Sequence, residues 1–321
     1  MHSTERLSPD DLPYASQLLK QGSLVAFPTE TVYGLGACIF NEGAIRAIFK
    51  AKGRPSDNPL IAHVSSFDQV EQIAQEIPPF FYLLAEQFFP GPLTIVLKRR
   101  LKVPSIVSAG LDSIALRMPS HPIAKELISL VGEPLVAPSA NLSGKPSSTH
   151  SDHVLEDLDG KIAAVIEGGN TEIGIESTVI SLMGQQPILL RPGAIGQELI
   201  EQVLGCFVEI ATLKPQEPVL SPGMKYRHYA PKTPIRVFQT SEELQAYHAA
   251  KAHLMQRMLL SREPPFIQVP QLDHYVLSAH AFYSLLRLSD SQGYHEILIL
   301  CDSVVQKDSA LMNRVLRAAG A

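Results

Sequence analysis

The stretch LVAFPTETVYGLG, residues 24–36, joins a short apolar run to a polar segment rich in hydroxyl side chains and glycine. Four apolar residues followed by turn-forming ones are typical of a buried β-strand. Seven similar runs follow, and sequences with helical spacing lie between several of them. These runs are PLIAHV (59–64), PLTIVLK (92–98), SIALRM (113–118), LVAP (135–138), AAVIE (163–167), STVISL (177–182) and PILLR (187–191). The alternation predicts an α/β domain built on one large mixed sheet.

Helix signals support this interpretation. Asn41 is a candidate N-cap for a helix over 43–50, and Ser66 with Gln69 forms a capping-box pattern before a helix over 67–75. A third helix is predicted over 122–131.

The C-terminal third predicts a second, smaller domain. A proline-rich stretch from 211 to 234 interrupts the pattern and indicates a linker. Three strand–helix units follow, which predicts a small parallel, Rossmann-like sheet. Its predicted strands are 234–238, 265–269 and 296–301, and its predicted helices are 240–260, 278–288 and 309–319. The expected organisation is a domain over 8–205, a linker over 206–233 and a domain over 234–321.

Composition narrows the function classes. The chain has 321 residues, with 27 Lys and Arg against 32 Asp and Glu, a net charge of −5. A protein that depends on gripping a phosphate backbone is usually basic, so duplex binding is disfavoured. With 45% hydrophobic residues the chain is also too apolar for global disorder.

Several common sites are missing from the sequence. Cys38, Cys206 and Cys301 are scattered, which indicates neither a disulfide framework nor a thiolate zinc site, and no metal site on protein ligands is expected. The strings SANLSGKPS and GLGACI fail the P-loop and dinucleotide patterns. No signal-like or membrane-spanning run occurs, so a cytoplasmic protein is expected.

Polar clusters follow the predicted strands, at the sheet edge where α/β proteins bind ligands. Lys52 and Arg54 stand two apart, which suits an anion. Arg117 lies inside an alternating apolar strand, and Arg191 ends another. Singly each feature is ordinary, but together they indicate a site for a small polyanion such as a nucleoside triphosphate.

Longer strings carry a resemblance. FPTETVYGLG (27–36), KGRPSDNPLIAH (52–63), FPGPLTIVLK (89–98), LRMPSHP (116–122), APSANLSGKPS (137–147) and LLRPG (189–193), in this order, closely resemble the YrdC-like family of L-threonylcarbamoyladenylate synthases. SPGMKYRHYAP (221–231) and MNRVLRAAG (312–320) resemble its two-domain branch, although the C-terminal region looks shorter than is usual there. The family fold is a large mixed, twisted sheet with helices, here joined to a smaller Rossmann-like α/β domain.

The resemblance implies a reaction in which L-threonine, bicarbonate and ATP give threonylcarbamoyl-AMP and pyrophosphate. This product serves the N6-threonylcarbamoyladenosine (t6A) modification of tRNA, so a hand-off to a tRNA threonylcarbamoyl transferase complex is implied. Mg²⁺ is expected to arrive with the triphosphate.

The resemblance also implies residue roles. The catalytic set is Lys52, Arg54, Ser139 and Asn141. The threonine pocket is Thr31, His63, Arg117 and Ser177, with Arg117 facing the carboxylate. The ATP contacts are Arg54, Asn58, Ser113, Ala137, Ser139, Ser147, Arg191 and Tyr229, the last in a linker expected to close over the nucleotide.

Other functions remain to be weighed. The main alternative is an RNA-binding module of the same fold without catalysis, against which the net charge argues. A carbamoyl-transfer domain of the hydrogenase-maturation kind is disfavoured by the scattered cysteines. The intact Lys52, Arg54, Ser139 and Asn141 argue against an inactive nucleotide-binding regulator.

Overall fold

A computed structural model describes residues 3–211, 229–250, 256–264 and 272–320. The chain divides into two compact units. The first comprises Met1–Ser143 and Ser147–Tyr226, and the second comprises Gly144–Pro146 and Arg227–Ala321. Most of the predicted linker, and the predicted strand over 265–269, lie outside the described residues.

The first unit alternates strands and helices as its sequence predicts. Its strands are β1 (Glu5–Leu7), β2 (Val25–Phe27), β3 (Gly34–Cys38), β4 (Ile61–His63), β5 (Ala74–Gln75), β6 (Leu93–Arg99), β7 (Ser113–Arg117), β8 (Leu135–Val136), β9 (Ala164–Ile166), β10 (Thr178–Ser181), β11 (Ile188–Arg191) and β12 (Glu209–Ile210). Its helices are α1 (Leu12–Lys20), α2 (Glu42–Lys52), α3 (Phe67–Ile73), α4 (Pro79–Phe88), α5 (Pro122–Val131), α6 (Ser151–Leu158) and α7 (Gln197–Leu204).

The caps read from the sequence are present. The side chain of Asn41 accepts a hydrogen bond from the Ala44 amide at 3.0 Å, and Ser66 accepts one from the Gln69 amide at 3.3 Å. Helix α6 begins at Ser151, and its N-cap is His150.

The strands form one mixed sheet in the order β1-β9-β2-β3-β8-β4-β7-β6-β10-β11-β12, with β5 paired to β6. β4 runs parallel to β7, and β10 runs parallel to β6, whereas β6 and β7 are antiparallel. This is the predicted large mixed sheet.

Alternation along the strands places apolar side chains on both faces of this sheet. In β7, Ile114 and Leu116 belong to the largest core cluster, to which α2, α3, α4, α6 and α7 contribute. Ala115 points to the opposite face and joins a small cluster with Ile61, Val96, Val179 and Leu190. On that opposite face, the side chains of β4 and β7 next to the small cluster are polar.

The second unit has the predicted parallel sheet. Its strands are β13 (Ile235–Phe238), β14 (Arg257–Ser261), β15 (Leu272–Val276) and β16 (Ile297–Leu300), in the order β13-β16-β14-β15, all parallel. Its helices are α8 (Ser241–Ala250), α9 (Ala279–Gln292) and α10 (Ser309–Ala319).

One helix prediction in this unit is wrong. The sequence predicted a helix over 240–260, but only α8, Ser241–Ala250, is helical among the described residues of that range, and residues 257–261 form β14. Met258, Leu259 and Leu260 are all fully buried between two parallel strands. A short apolar run buried on both faces fits a helix pattern as well as a strand, so its spacing was misleading.

The three residues Gly144–Pro146 belong to the second unit through two hydrogen bonds. The Ala230 amide donates to the Gly144 carbonyl at 2.9 Å, and Nη2 of Arg287, on α9, donates to the Pro146 carbonyl at 2.6 Å. Among the described residues, no helix is long and apolar enough to cross a membrane.

Candidate active site

Three loops next to strands of the first unit are connected by backbone hydrogen bonds. They are residues 28–33 between β2 and β3, residues 138–148 after β8, and residues 171–176 before β10. The Tyr33 carbonyl accepts from the Ala140 amide, and the Glu30 carbonyl accepts from the Ile173 amide, both at 2.8 Å. The polar segment after β2, residues 28–33, is therefore hydrogen-bonded to both of the other loops.

His63 and Arg117 are the last residues of β4 and β7 and are direct partners in the parallel register. Cross-strand partners point to the same face of a sheet. Ser113, Ala115 and Arg117 share this face because they alternate along β7. His63, Ser113 and Arg117, three of the predicted site residues, therefore lie on the face of the sheet that carries the small apolar cluster.

Arg117 is buried and makes two charge-assisted contacts. Its Nη1 donates to Oγ1 of Thr31 at 2.7 Å, and its Nη2 donates to Oε2 of Glu30 at 2.8 Å. The side chains of Arg117 and Glu30 are only 4% and 3% exposed. Burial lowers the pKa of Arg117, while Glu30 opposes this shift. An arginine remains protonated in proteins, so the pair is a buried ion pair.

His63 is held as a neutral ring. Burial lowers its pKa to about 3, and the Arg117 charge adds to the effect. Its Nδ1 lies 3.3 Å from the Ile61 carbonyl, which can only accept, so Nδ1 carries the proton. In a neutral imidazole the other nitrogen is then an acceptor, and Nε2 can receive a hydrogen bond from a hydroxyl group.

The two cations of the K-x-R pair have different partners. Lys52 ends α2 and is 2% exposed, and its Nζ donates to the carbonyls of Ser139 and Asn141, both at 2.5 Å. Nη2 of Arg54 donates to the Pro59 carbonyl at 3.0 Å. Lys52 is therefore the last residue of a helix, whereas the sequence placed its cluster beside a strand.

Ser177 and Arg191 meet at the start of β10. Nη2 of Arg191 donates to the Ser177 carbonyl at 2.9 Å, and Oγ of Ser177 lies 2.8 Å from Oγ1 of Thr94. The backbone passes so close here that a Cβ on Gly193 would lie 2.3 Å from the Thr178 amide nitrogen.

The other predicted ATP contacts are distributed along the same unit. Asn58, Ser113 and Ala137 are buried, and Ser147 donates to Oε1 of Glu176 at 2.5 Å. Ser113 stands four residues before Arg117 on β7, about 13 Å away along the strand. That separation suits an elongated ligand and is too long for a single amino acid.

Tyr229 lies in the second unit. Its ring centroid is 5.2 Å from that of Tyr283, the Arg314 guanidinium lies 5.7 Å from it, and its backbone φ is +65°. Such a left-handed conformation is uncommon for a tyrosine.

Sequence reasoning passed over three polar partners. Glu30 and Thr94 stand within quoted motifs or runs, and Glu176 directly precedes the run 177–182, yet none was assigned a role. Two of them could have been suspected, because a buried arginine needs an anion and a buried serine needs an acceptor. Their contacts with Arg117 and Ser147 bridge 87 and 29 residues, a distance over which spacing carries no signal.

The geometry provides binding groups for two kinds of ligand. Arg117, Thr31 and neutral His63 supply a fixed cation, a hydroxyl and an acceptor for a small polar molecule that carries a carboxylate. Lys52 places a positive charge beside Ser139 and Asn141, which suits the stabilisation of charge on phosphoryl oxygens.

Family models match almost the whole chain. The model described as "Telomere recombination", for Sua5, YciO and YrdC proteins, matches residues 17–193. The model described as "Threonylcarbamoyl-AMP synthase, C-terminal domain" matches residues 195–320.

Curated relatives carry the same enzyme name. The threonylcarbamoyl-AMP synthase of Bacillus subtilis is 41% identical, covering 99% of this chain and 96% of the relative. That of Pyrococcus abyssi is 51% identical, covering 73% of this chain and 70% of the relative. These relatives are named as enzymes, which contradicts the interpretation as a non-catalytic RNA-binding module. The aligned region covers nearly the full length of both this chain and the Bacillus protein.

Solved structures agree over the full length. A structure of P. abyssi Sua5 complexed with L-threonine superposes with a TM-score of 0.89 at 40% identity, covering 99% of this chain and 97% of that chain. Escherichia coli YciO, at 22% identity and a TM-score of 0.55, shares the fold and covers 62% of this chain.

Proposed function

Since the chain belongs to the threonylcarbamoyl-AMP synthase family and is an enzyme of tRNA t6A biosynthesis that makes an adenylate from ATP, we propose that the cluster around Arg117 and Lys52 is its active site. In this proposal Thr31, His63, Arg117 and Ser177 bind L-threonine. ATP is bound by Arg54, Asn58, Ser113, Ala137, Ser139, Ser147, Arg191 and Tyr229, and Lys52, Arg54, Ser139 and Asn141 act on the reacting phosphate.

The observation that carries the proposal is the convergence of residues far apart in sequence. Arg117 donates directly to Thr31 at 2.7 Å, and His63 is its register partner. Loop 28–33, which holds Thr31, is bonded to loop 138–148, which holds Ser139 and Asn141. Lys52 donates to both of those residues. The predicted threonine and phosphate groups therefore share one framework.

The threonine end of the site uses complementary groups. The Arg117 cation binds the substrate carboxylate, and Nε2 of the neutral His63 accepts a hydrogen bond from the substrate hydroxyl. A site that hydrogen-bonds a substrate hydroxyl rejects analogues that lack it, because its buried polar groups would be left unpaired.

At the phosphate end the enzyme stabilises charge. We propose that the ammonium group of threonine first releases a proton to solvent, and that the resulting amine reacts with bicarbonate to give the N-carboxylate and water. A carbamate oxygen then bonds to the α-phosphorus while the bond from this phosphorus to the pyrophosphate oxygen breaks. Negative charge spreads over the phosphoryl oxygens, and the fixed cations Lys52 and Arg54 offset it without a protein nucleophile.

Mg²⁺ enters this proposal only as an ion bound to the substrate ATP. Within the four described ranges, no group of three or more His, Cys, Asp or Glu side chains could hold a metal ion. Mg²⁺ is therefore proposed to come with the triphosphate, and no step is derived through it. The adenylate would pass to a tRNA threonylcarbamoyl transferase complex in the cytoplasm.

Tyr229 is proposed to contact the nucleotide and help exclude water from the mixed anhydride, which water would otherwise hydrolyse. Its support is the resemblance together with its left-handed backbone, since strained residues cluster at ligand clamps.

The function and the site are tested by one assay with matched variants. The full chain is incubated with ATP, Mg²⁺, bicarbonate and radiolabelled threonine, and a threonine-dependent adenylate and pyrophosphate are quantified. Lys52→Ala is expected to lower kcat roughly a hundredfold, because one preorganised contact to developing charge is worth about 3 kcal/mol. Its threonine Kd should change little.

Lys50→Ala is the control, because Lys50 is exposed on the same helix two residues earlier. A Lys52→Ala protein that keeps its fold and near-normal kcat would remove Lys52 from the catalytic set. Absence of any threonine-dependent adenylate from the unmodified chain would overturn the function itself.

A further inference from the structure

Glu30 has a buried oxygen that the ion pair does not use. Its Oε2 accepts from Arg117, but Oε1 is buried and has no hydrogen-bond partner among the described residues. A buried carboxylate oxygen without a donor is costly, because it has lost its water and gained nothing in return. Native proteins rarely leave such an atom unpaired unless a ligand completes it.

Arg117 has a hydrogen-bond donor that no described residue uses. Its Nη1 and Nη2 donate to Thr31 and Glu30, while its buried Nε has no acceptor among the described residues. The two side chains are bonded to each other, and each has one atom unused by the described residues: Oε1 of Glu30 can accept a hydrogen bond, and Nε of Arg117 can donate one. An α-amino acid carries the matching pair on one carbon, an ammonium donor and a carboxylate acceptor.

The position of Glu30 is fixed. Its carbonyl accepts from the Ile173 amide at 2.8 Å, and the next carbonyl, of Thr31, accepts from the Gly174 amide at 3.1 Å. The carboxylate can thus serve as a preorganised partner that needs no reordering when a ligand arrives.

The surrounding histidines do not compete for this role. His63 is neutral, since burial lowers its pKa to about 3. Burial also lowers the pKa of His121, although Glu30 and Glu172 oppose that shift. With both rings neutral, Glu30 supplies the negative charge that a substrate ammonium requires.

We propose that Glu30 is a further substrate-binding residue, whose Oε1 accepts a hydrogen bond from the ammonium group of L-threonine while Arg117 binds the carboxylate. This inference rests on the proposed threonine site. It assigns Glu30 a contact with the substrate in addition to neutralising Arg117.

The competing view is that Glu30 only balances the charge of Arg117, and two ligands separate the views. One is L-threonine, and the other is its α-hydroxy analogue, 2,3-dihydroxybutanoate of the same configuration, in which a hydroxyl replaces the ammonium. Both keep the carboxylate and the side-chain hydroxyl. Isothermal titration calorimetry on the full chain gives the ratio of their Kd values.

The unmodified chain is expected to bind threonine at least tenfold more tightly than the analogue, and Glu30→Gln should reduce this ratio by about 10- to 100-fold, the size of a hydrogen bond to a charged group. A purely structural role would change both Kd values together and leave the ratio constant. Glu172→Gln, at an exposed acid in the neighbouring loop, is the control and should keep the ratio.

Each outcome is decisive. Equal binding of both ligands by the unmodified chain, or an unchanged ratio in folded Glu30→Gln, overturns the inference while the threonine site stands. If Glu30→Gln fails to fold, Glu30→Asp, which keeps the charge but shortens the reach, should show a reduced ratio, and an unchanged ratio there also overturns it. No threonine binding by the unmodified chain would instead reject the proposed function.

Discussion

The buried ion pair between Arg117, at the end of β7, and Glu30 is the main feature at the scale of single residues. Arg117 and Glu30 are almost completely buried, and removing one partner of such a pair leaves the other charge uncompensated, at a cost of about 3–5 kcal/mol. In an Arg117→Ala variant, a loss of threonine binding could therefore not be separated from a loss of stability. Thr31→Val removes only a hydroxyl and probes the same contact more gently.

The neutral state of His63 predicts an acid-sensitive stability. The pKa is about 3 in the folded protein, against an ordinary value of 6.5 for histidine. As the pH falls from 7 to 5, the unfolded chain binds a proton at His63 that the folded chain does not. This one residue should therefore lower the free energy of unfolding by about 2 kcal/mol over that range.

Urea unfolding at pH 7 and pH 5 tests this for the native chain and for His63→Asn, which can still donate to the Ile61 carbonyl but does not titrate. The variant should lose about 2 kcal/mol less on acidification. His280→Asn, at an exposed position on α9, should behave like the native chain. Identical pH dependence in native and His63→Asn proteins would show that folding does not shift the pKa of His63.

At the scale of elements, the start of β10 depends on a single glycine. A Cβ at Gly193 would lie 2.3 Å from the Thr178 nitrogen and 2.6 Å from the Ser177 carbonyl carbon, both backbone atoms. Gly193→Ala must therefore displace the strand that carries Ser177 and its contact with Arg191. We expect a loss of about 1–3 kcal/mol in stability, the usual effect of overpacking, and a weaker threonine affinity.

Gly196→Ala is the matched control in the same loop, because the space around Gly196 is open and its φ is −71°. Since alanine is a poorer N-cap than glycine, it should lower the free energy of unfolding by about 1 kcal/mol or less, and it should leave the threonine affinity unchanged. Equal effects of the two substitutions, measured by urea unfolding and by threonine titration, would contradict the close approach at Gly193.

Elements with strong local signals were predicted from the sequence, and those shaped by distant contacts were not. The limits of α5 were predicted to the residue, because proline begins it and Gly132 ends it. Strand β3 was missed because its GLGAC sequence suggests a turn. Its Gly36 is instead needed where a Cβ would lie 2.8 Å from the ring of Phe27. Likewise Arg117 was predicted from its strand, but Glu30, 87 residues away, was not.

At the scale of the whole molecule, the first unit has the features of an independent folding unit. Among the described residues, the apolar clusters around its sheet draw their members from residues 7–211. Its edge strand β12 is followed by an Ala211 amide that donates to the Leu189 carbonyl at 2.9 Å. A chain that ends at Ala211 keeps all of these contacts and loses those of Gly144 and Pro146 with Ala230 and Arg287.

We therefore expect a chain ending at Ala211 to fold, to bind L-threonine like the full chain, and to bind ATP more weakly because Tyr229 is absent. More of the adenylate should also be lost to hydrolysis. Circular dichroism, calorimetry with each ligand and product analysis test these points. Full ATP affinity and an unaltered product yield would mean that the C-terminal part contributes nothing to nucleotide binding.

The nesting of Gly144–Pro146 within the second unit also imposes an order on biosynthesis. A ribosome makes the chain from its N-terminus, so the core of the first unit is complete while Ala230 and Arg287 have yet to be made. Gly144 can form its hydrogen bond only once Ala230 has been made, 86 residues later, and Pro146 only once Arg287 has been made, 141 residues later. A newly made chain thus passes through a stage with a formed core and an unfinished loop, and translation of α9 is the event that completes it.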